Sequence, residues 1–334
     1  MALNGRGRRA TSADVAREAG VSRATVSYVL NDTPHQKIPE HTRQRVLQAA
    51  ARLGYTPSAA ARVLRSGRSD VVLLLLPDWP IGPAVGQFLE EASSRLAEAG
   101  FTLVAHPRAG STRPVSELWK AITPAAVIAW EDFDEGEASA MRAAGIDLTV
   151  VLLGRTRRRS FELEVPQQRI GRLQVEHLAA AGHRLLGYAW PDDERVLVFA
   201  EPRLAGVRHA CADLGLAEPV VQTVPLETNA AAEVVATWRD ADVNAVCAYN
   251  DEVALAVLAG MRRHGLTAPD DVAVIGVDDI PAARFAVPPL TTVKIDEFVS
   301  ARYVADRLVA ALGGEPKPRA PGSDSVTVLV RESA

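Results

Sequence analysis

Residues 11–30 read TSADVAREAG VSRATVSYVL, and their spacing predicts two short helices joined by a tight turn. A hydroxyl of Thr11-Ser12 can cap the first helix, whose apolar residues share one face: Val15, Ala16 and Ala19. Gly20 ends that helix, because glycine adopts a left-handed backbone at little cost. Ser22 begins the second helix, and the pair matches a helix-turn-helix.

The second predicted helix has two chemically different faces. Its apolar face contains Val26, Val29 and Leu30, and its polar face contains Arg23, Ala24, Ser27 and Tyr28. A third helix is predicted from Thr42 to Leu53, with apolar residues at three- and four-residue steps: Val46, Ala49, Ala50 and Leu53. These apolar sets predict a small core that leaves the polar face free to meet base edges in a major groove. A generic three-helix bundle is the alternative.

Charge is distributed unevenly along the chain. Residues 1–70 contain 12 Lys and Arg against 5 Asp and Glu, a net charge of +7. Since the whole chain has a net charge of −4, the remainder has −11. A basic segment attracts phosphate through counterion release, whereas an acidic remainder avoids non-specific binding to DNA.

Several motifs follow one another in a specific order: Thr11 to Ala16, Ala19 to Ser22, Thr25 to Ser27, Gly54 to Pro57, and residues 59–66. Together they resemble the N-terminal signature of the lactose-repressor-type (LacI/GalR) family of transcription regulators. The resemblance implies a repressor that binds a palindromic DNA operator as a homodimer and responds to a small-molecule, sugar-like effector. It also implies a hinge helix at residues 57–68, from which Leu64 enters the minor groove at the operator centre.

The resemblance places the base-reading residues at Arg23, Ala24 and Tyr28. Arginine can pair two donors with guanine, alanine can offer a methyl group to thymine, and tyrosine can reach a base or a phosphate. Contacts to the DNA backbone are expected from Ser12, Ser22, Ser27, Asn31, Lys37 and Arg43. The other predicted DNA-binding residues are Thr11, Thr25, Tyr55 and Ala61.

From residue 69 onward, one unit is repeated: an amphipathic helix, a glycine and an apolar strand. It occurs at residues 98–104, 144–152, 181–188, 214–221 and 264–275. Runs such as residues 71–76 are apolar on both faces, which indicates parallel sheets covered by helices. About ten predicted strands are too many for one such sheet, so we predict an α/β body of two doubly wound parallel-sheet subdomains.

Ligands of such folds bind where the strands end. The residues that follow predicted strands mix amides and carboxylates with tryptophans: Asp78, Trp79, Trp130, Trp190, Asn250 and Asp278. Oxygen acceptors beside aromatic rings suit a sugar-like or other polar small molecule. Asn250-Asp251 is also a natural N-cap of the following helix, which is the purely structural alternative.

The family resemblance extends to residues 249–252, 269–279 and 288–293. It implies that Arg203, Asn250 and Asp278 contact the effector, and that the body has the fold of periplasmic sugar-binding proteins with crossovers near residues 163, 290 and 321. The predicted organisation is a helix-turn-helix domain at 1–56, the hinge at 57–68, an N-terminal subdomain at 69–162 and 291–320, and a C-terminal subdomain at 163–290 and 321–334.

One departure from the family pattern concerns the effector. Pro166-Gln167 stands where the family usually has an Asp-Asn pair, so a carboxylate that could bind a hydroxyl is missing. A non-sugar ligand or a protein effector therefore stays open as an alternative.

Other classes of function lack their sequence signals. There is no dinucleotide fingerprint after a strand and no phosphate-binding loop. Cys211 and Cys247 are isolated, which indicates neither a structural zinc site nor a disulfide framework. With these motifs absent, we predict no metal, no cofactor and no enzymatic activity. The absence of a signal-like or membrane-spanning apolar run predicts a cytoplasmic protein without a membrane partner, which disfavours a solute-binding receptor. The helix from Ala84 to Ala99 is a candidate dimer interface.

Overall fold

The computed structural model describes residues 10–30, 36–55, 69–108, 114–152, 167–319 and 326–334. The chain separates into two compact units, a head (residues 1–70) and a body (residues 71–334). Among the helices of the described ranges, none is long and apolar enough to cross a lipid bilayer.

The head contains three helices: α1 (Ser12–Ala19), α2 (Arg23–Leu30) and α3 (Glu40–Arg52). A capping box begins α1, because the side chains of Thr11 and Asp14 each accept a hydrogen bond from the other's main-chain N–H. Gly20 ends α1 with φ of 62°, in the left-handed region. The buried cluster of the head contains the predicted residues Val15, Ala16, Ala19, Val26, Val29, Val46, Ala49 and Ala50.

Leu53 departs from the prediction for the head core. The third helix ends at Arg52, and Leu53 is its C-cap residue with 38% of its surface exposed. The chain then turns back, since the main-chain N–H of Tyr55 donates to the carbonyl oxygen of Ala50 at 2.9 Å. Tyr55 is half-buried and packs against the head core, and the prediction that Leu53 closes the core is wrong.

The N-terminal part of the body is built on a parallel sheet with the order β2-β1-β3-β4. Its elements are β1 (Val71–Leu76), α4 (Pro83–Glu98), β2 (Thr102–Pro107), α5 (Val115–Ile122), β3 (Ala126–Ala129), α6 (Glu135–Ala143) and β4 (Thr149–Val151). Val72 and Leu74 pack with α4 on one face, and Leu73 and Leu75 pack with Trp119 on the other. Helices on both faces explain the continuous apolar sequence of β1.

The C-terminal part is built on a second sheet with the order β10-β9-β8-β7-β5-β6. Its elements are α7 (Gln167–Ala180), β5 (Leu186–Pro191), α8 (Leu197–Asp213), β6 (Val220–Val224), α9 (Thr228–Asp240), β7 (Ala245–Ala248), α10 (Asp251–Arg263), β8 (Ala273–Val277), β9 (Thr291–Ile295) and β10 (Val326–Leu329). The pairs are parallel except for β10, which runs antiparallel to β9 at the sheet edge. The body therefore has the predicted two doubly wound subdomains.

One predicted crossover is misplaced. Thr291–Ile295 forms β9, which pairs with β8 in the C-terminal sheet, with Ile275 opposite Thr291. The chain changes subdomain only after Ile295, where α11 (Glu297–Gly313) packs against α4 over the N-terminal sheet. The assignment of residues 291–295 to the N-terminal subdomain is therefore wrong. The other two crossovers, predicted near residues 163 and 321, lie outside the described residues.

Candidate functional site

The exposed face of α2 is a candidate nucleic-acid surface. Ser22 begins the helix, since its Oγ accepts from the main-chain N–H of Thr25 at 3.1 Å and lies 2.9 Å from the Thr25 hydroxyl. Burial of Val26 and Val29 fixes the rotation of the helix. The predicted base-reading residues Arg23, Ala24 and Tyr28 consequently all face solvent. A short helix with one anchored and one free face has the form that a major groove accepts.

The other predicted DNA-binding residues of the head have mixed environments. Thr11 and Ser22 are exposed helix caps, Lys37 is exposed, and Ser12, Thr25, Ser27, Arg43 and Tyr55 are half-buried. Asn31, Ala61, Leu64 and the predicted hinge helix lie outside the described residues. Thr11 and Ser22 thus have a structural role in capping, to which a phosphate contact can be added.

A cavity of about 390 Å³ lies at the ends of the strands of the body. Five predicted effector residues line it. Trp79 and Trp130 follow β1 and β3, Arg203 comes from α8, and Asn250 and Asp278 follow β7 and β8. Its volume is in the range of sites that enclose small organic molecules.

Two predicted effector residues are not in this lining. Asp78 is exposed to solvent beside the cavity. Trp190 lies inside β5, opposite Thr223 of β6, and its ring centroid is 6.3 Å from that of Tyr188. The strand ends at Pro191, later than the sequence indicated, so the prediction that Trp190 follows a strand is wrong. Asp192 and Asp193, which do follow it, line the cavity instead.

Arg203 is held in the cavity wall by neighbouring polar groups. Its side chain is nearly fully buried, with 3% of the residue exposed. Its Nε and Nη2 donate to Oε1 of Gln167 at 3.0 and 2.7 Å, and its Nη1 donates to the carbonyl oxygen of Tyr249. The guanidinium also lies over the Tyr249 ring, 4.9 Å from its centroid. Gln167, at the departure from the family pattern, therefore orients the arginine.

Asp278 is the acidic counterpart of Arg203 at the cavity. Its φ of 106° is unusual for a residue with a side chain. Burial raises the pKa of its carboxyl above the ordinary value, and the positive charge of Arg203 opposes that rise. Among the described residues, its carboxylate has no hydrogen-bond donor. It is therefore available to accept a hydrogen bond from a bound molecule.

Asn250 has both roles that its sequence context allows. Its Oδ1 accepts from the main-chain N–H of Val253 at 3.0 Å, which makes it the N-cap of α10. Since Asn250 also lines the cavity, the structural interpretation and the binding interpretation are compatible.

Asp251, which the sequence offers only as the neighbour of Asn250 at the helix cap, is a buried support of the site. Its Oδ1 accepts from the Thr292 hydroxyl at 2.6 Å, and its Oδ2 accepts from the main-chain N–H of Ile280 at 2.9 Å. These bonds connect α10 to β9 and to the turn that contains Asp278. Burial raises the pKa of Asp251 to about 7. A Cβ atom at Gly276 would lie 2.1 Å from Oδ1, so only glycine fits beside this carboxylate.

Aromatic rings connect the two subdomains across the cavity. Trp79 of the N-terminal subdomain meets Phe199 of α8 edge to face, with ring centroids 4.6 Å apart. Trp130 lies 5.1 Å from Trp79 and 5.1 Å from Phe88. The sequence reasoning missed Phe199 and Phe88, because neither follows a strand.

Comparison with known proteins gives consistent matches to both units. A family model for "Bacterial regulatory proteins, lacI family" matches residues 11–58, and one for "Periplasmic binding protein-like domain" matches residues 175–334. The regulator MalR of Streptomyces coelicolor is 31% identical over 96% of this chain and 95% of its own length. The regulator GalR of Escherichia coli is 29% identical over 97% and 95%. A crystal structure of the lac repressor dimer bound to operator and the anti-inducer ONPF superimposes with a TM-score of 0.76 at 25% identity, over 98% of this chain and 99% of that chain.

Proposed function

Because this chain belongs to the lacI family of bacterial regulatory proteins, we propose that its head binds a DNA operator and that its body controls this binding through a small-molecule effector. It is a helix-turn-helix transcriptional regulator, and we assign it the role of a repressor. Its DNA target implies that it works in the cytoplasm.

The exposed face of α2 is the observation that supports this proposal best. Val26 and Val29 anchor the helix, while Arg23, Ala24 and Tyr28 remain accessible. Arg23 can donate two hydrogen bonds to O6 and N7 of guanine, and Ala24 can contact a thymine methyl group. Tyr28 can reach a neighbouring base or phosphate. One head reads a half-site.

Because one head reads only a half-site, we propose that two copies of the chain bind a palindromic operator as a dimer. Two-fold symmetry doubles the number of bases read, and the lac repressor to which this chain is similar binds its operator as a dimer. We propose that residues 57–68 form the hinge helix and that Leu64 is inserted at the operator centre, where unstacking costs a few kcal/mol. Ala61 would contact the minor groove from the same helix.

The cavity of the body is the proposed effector site. Arg203 and the amide of Asn250 supply donors, and Asp278 supplies an acceptor, so together they suit hydroxyl groups. The lining comes from both subdomains. A molecule that binds more tightly to one relative arrangement of the two subdomains increases the population of that arrangement. That shift would change the hinge spacing in the dimer and hence the affinity for the operator.

Selection of DNA from a random pool by the full chain tests this function. We expect enrichment of a palindrome with a central pyrimidine-purine step, since such steps are kinked most easily. The selected operator then serves as the probe in a screen for small molecules that change its affinity. Failure to enrich any sequence, by a chain shown to be folded, would contradict the proposal.

A further inference from the structure

The turn that brings Asp278 to the effector cavity has an unusual backbone. Asp278 and Asp279 are consecutive residues with positive φ, 106° and 51°. Residues with a side chain rarely adopt this region, and they stay there only where surrounding contacts hold them. Asp278 lines the cavity, whereas Asp279 is 8% exposed and lies outside the lining. The direction of the Asp278 side chain therefore depends on the groups that bind the neighbouring carboxylate.

Arg331 is the buried partner of that carboxylate. Its Nη2 donates to Oδ1 of Asp279, and its Nη1 donates to the carbonyl oxygen of Leu290 at 2.7 Å. Only 17% of the Arg331 side chain and 6% of the Asp279 side chain are exposed. Arg284 also donates to Asp279, at 3.1 Å, but 61% of its side chain is exposed. Because loss of one partner from a buried ion pair has a large effect and an exposed pair contributes little, Arg331 is the stronger constraint.

The segment that contains Arg331 is bound to both strands that flank the turn. The main-chain N–H of Arg331 donates to Oγ1 of Thr291 in β9 at 2.9 Å. The fully buried Ser333 accepts at Oγ from the main-chain N–H of Thr291 at 2.8 Å, and it donates to the carbonyl oxygen of Val274 in β8 at 2.6 Å. The guanidinium thus comes from a segment whose position relative to β8 and β9 is fixed.

We propose that Arg331 is a positioning residue of the effector site: by holding Asp279, it fixes the turn in the conformation that directs the Asp278 carboxylate to the cavity. This inference rests on the proposed function, because it concerns how the same site keeps its geometry. Asp251 binds the next residue of the turn, through the main-chain N–H of Ile280. Arg331 lies outside the described lining, so it acts on a bound molecule only through Asp278.

Carboxyl NMR of the full chain labelled with carbon-13 aspartate tests the proposal, with the proton as the probe. The Asp278 signal is identified by its loss in Asp278→Asn. In the parent chain, burial raises the pKa of this carboxyl above the ordinary value. Arg203 and Glu252, the charged groups that also act on it, are retained in every other variant.

Arg331→Met is the decisive variant, because it keeps a long side chain and removes the charge and the donors. If the turn is released, the Asp278 carboxyl gains access to water, and its pKa should fall toward that of an exposed aspartate. Loss of a nearby positive charge alone would have the opposite sign and would raise this pKa. The direction of the change therefore separates positioning from simple electrostatics.

Three further variants make this test specific. Arg331→Lys keeps the charge and should give a smaller fall in the pKa of Asp278; as the milder change, it replaces Arg331→Met if that variant does not fold. Arg284→Met removes the exposed partner of the same carboxylate and should leave the pKa of Asp278 nearly unchanged. Ser333→Ala should lower the free energy of unfolding without this fall in pKa, because it leaves the bonds of Arg331 in place.

Two results would overturn the inference. One is an unchanged or higher pKa of Asp278 in folded Arg331→Met, or in Arg331→Lys if only that variant folds. The other is an equal fall in Arg331→Met and Ser333→Ala, which would show that loosening of the sheet edge, and not loss of the guanidinium, releases the turn. These measurements use no DNA, so a failed assignment of Arg331 is distinguishable from a failed regulator, in which no DNA sequence is enriched.

Discussion

The head and the body each use an arginine as a recognition group, in opposite settings. Arg23 lies exposed on a helix of eight residues, whereas Arg203 is buried and fixed by Gln167 and Tyr249. An exposed side chain adapts to a base edge and can be replaced without disturbing the fold. A buried one selects ligands by position, and it depends on the packing of the elements around it. Substitutions on the exposed face of the head should therefore change DNA binding without changing stability. Substitutions around Arg203 in the body should change both ligand binding and stability.

The largest expected effect is at the packing of α7 against α8, which positions Arg203. A Cβ atom at Gly206 would lie 2.0 Å from the carbonyl oxygen of Gln168, so Gly206→Ala must push the helices apart. We expect a loss of about 3 kcal/mol in the free energy of unfolding of the body. Urea unfolding followed by tryptophan fluorescence measures this loss, since all five tryptophans lie in the body.

Gly86 provides the matched control in α4. It has open space around its Cβ position and lies inside a helix, so Gly86→Ala should stabilise the body by about 0.5–1 kcal/mol. Equal unfolding midpoints for the two variants would contradict the proposed close approach of α7 and α8.

The next effect concerns the acceptor in the effector cavity. Asp278→Asn removes the charge of a carboxylate that has no donor among the described residues, and should weaken effector binding by about tenfold to a hundredfold. Operator affinity without effector should stay near that of the parent chain. Titration of the operator complex with effector, before and after the substitution, checks both expectations. An unchanged effect of the effector on operator affinity would show that Asp278 does not bind the effector.

Asp251 should give the body a pH-dependent stability. Its pKa of about 7 lies above the ordinary value of 3.8, so between these values the folded state binds more protons than the unfolded state. Its contribution is therefore full at low pH and is lost as pH rises toward 7, with a steepest slope of about 1.4 kcal/mol per pH unit. We expect the difference in stability between the parent chain and Asp251→Asn to decrease along that range. A difference that is constant with pH would contradict this assignment.

The smallest effect is expected in the head, at the cap of α1. Thr11→Ala removes one side of the capping box and should destabilise the head by about 1 kcal/mol, whereas Ser12→Ala, one residue inside the helix, should be nearly neutral. Circular dichroism of thermal unfolding can detect the difference. Equal effects of the two variants would show that the cap does not stabilise the head.

Local sequence predicts the head well and the cavity only in part. The spacing of Val15, Ala19, Val26 and Val29 determines which side of α2 faces solvent, because all the contacts involved are within three short helices. The error at Leu53 arose at a helix end, where one residue of difference rotates a side chain away from the core.

The cavity depends on contacts between distant parts of the chain. Parallel strands end at one edge of a sheet, so the residues after them are predicted to form a ligand site. Four of these residues do line the cavity together: Trp79, Trp130, Asn250 and Asp278. Phe199 does not follow a strand and could not be found in this way. Asp251 follows β7 together with Asn250, but its support of the turn at Asp278 could not be predicted, because its partner Thr292 is far away in sequence. The local sequence does not show that Trp190 lies inside β5, because the length of that strand is set by its pairing with β6.

Parallel selections of DNA by the parent chain and by Arg23→Ala test the central claim most directly. If the exposed face of α2 reads the operator, both chains should enrich a palindrome, and the variant should lose preference at one symmetric pair of positions at a cost of about 1–3 kcal/mol. Arg45→Ala, an exposed arginine of α3, should leave the preference intact. The same enriched sequence with and without Arg23 would contradict the claim that this face recognises DNA.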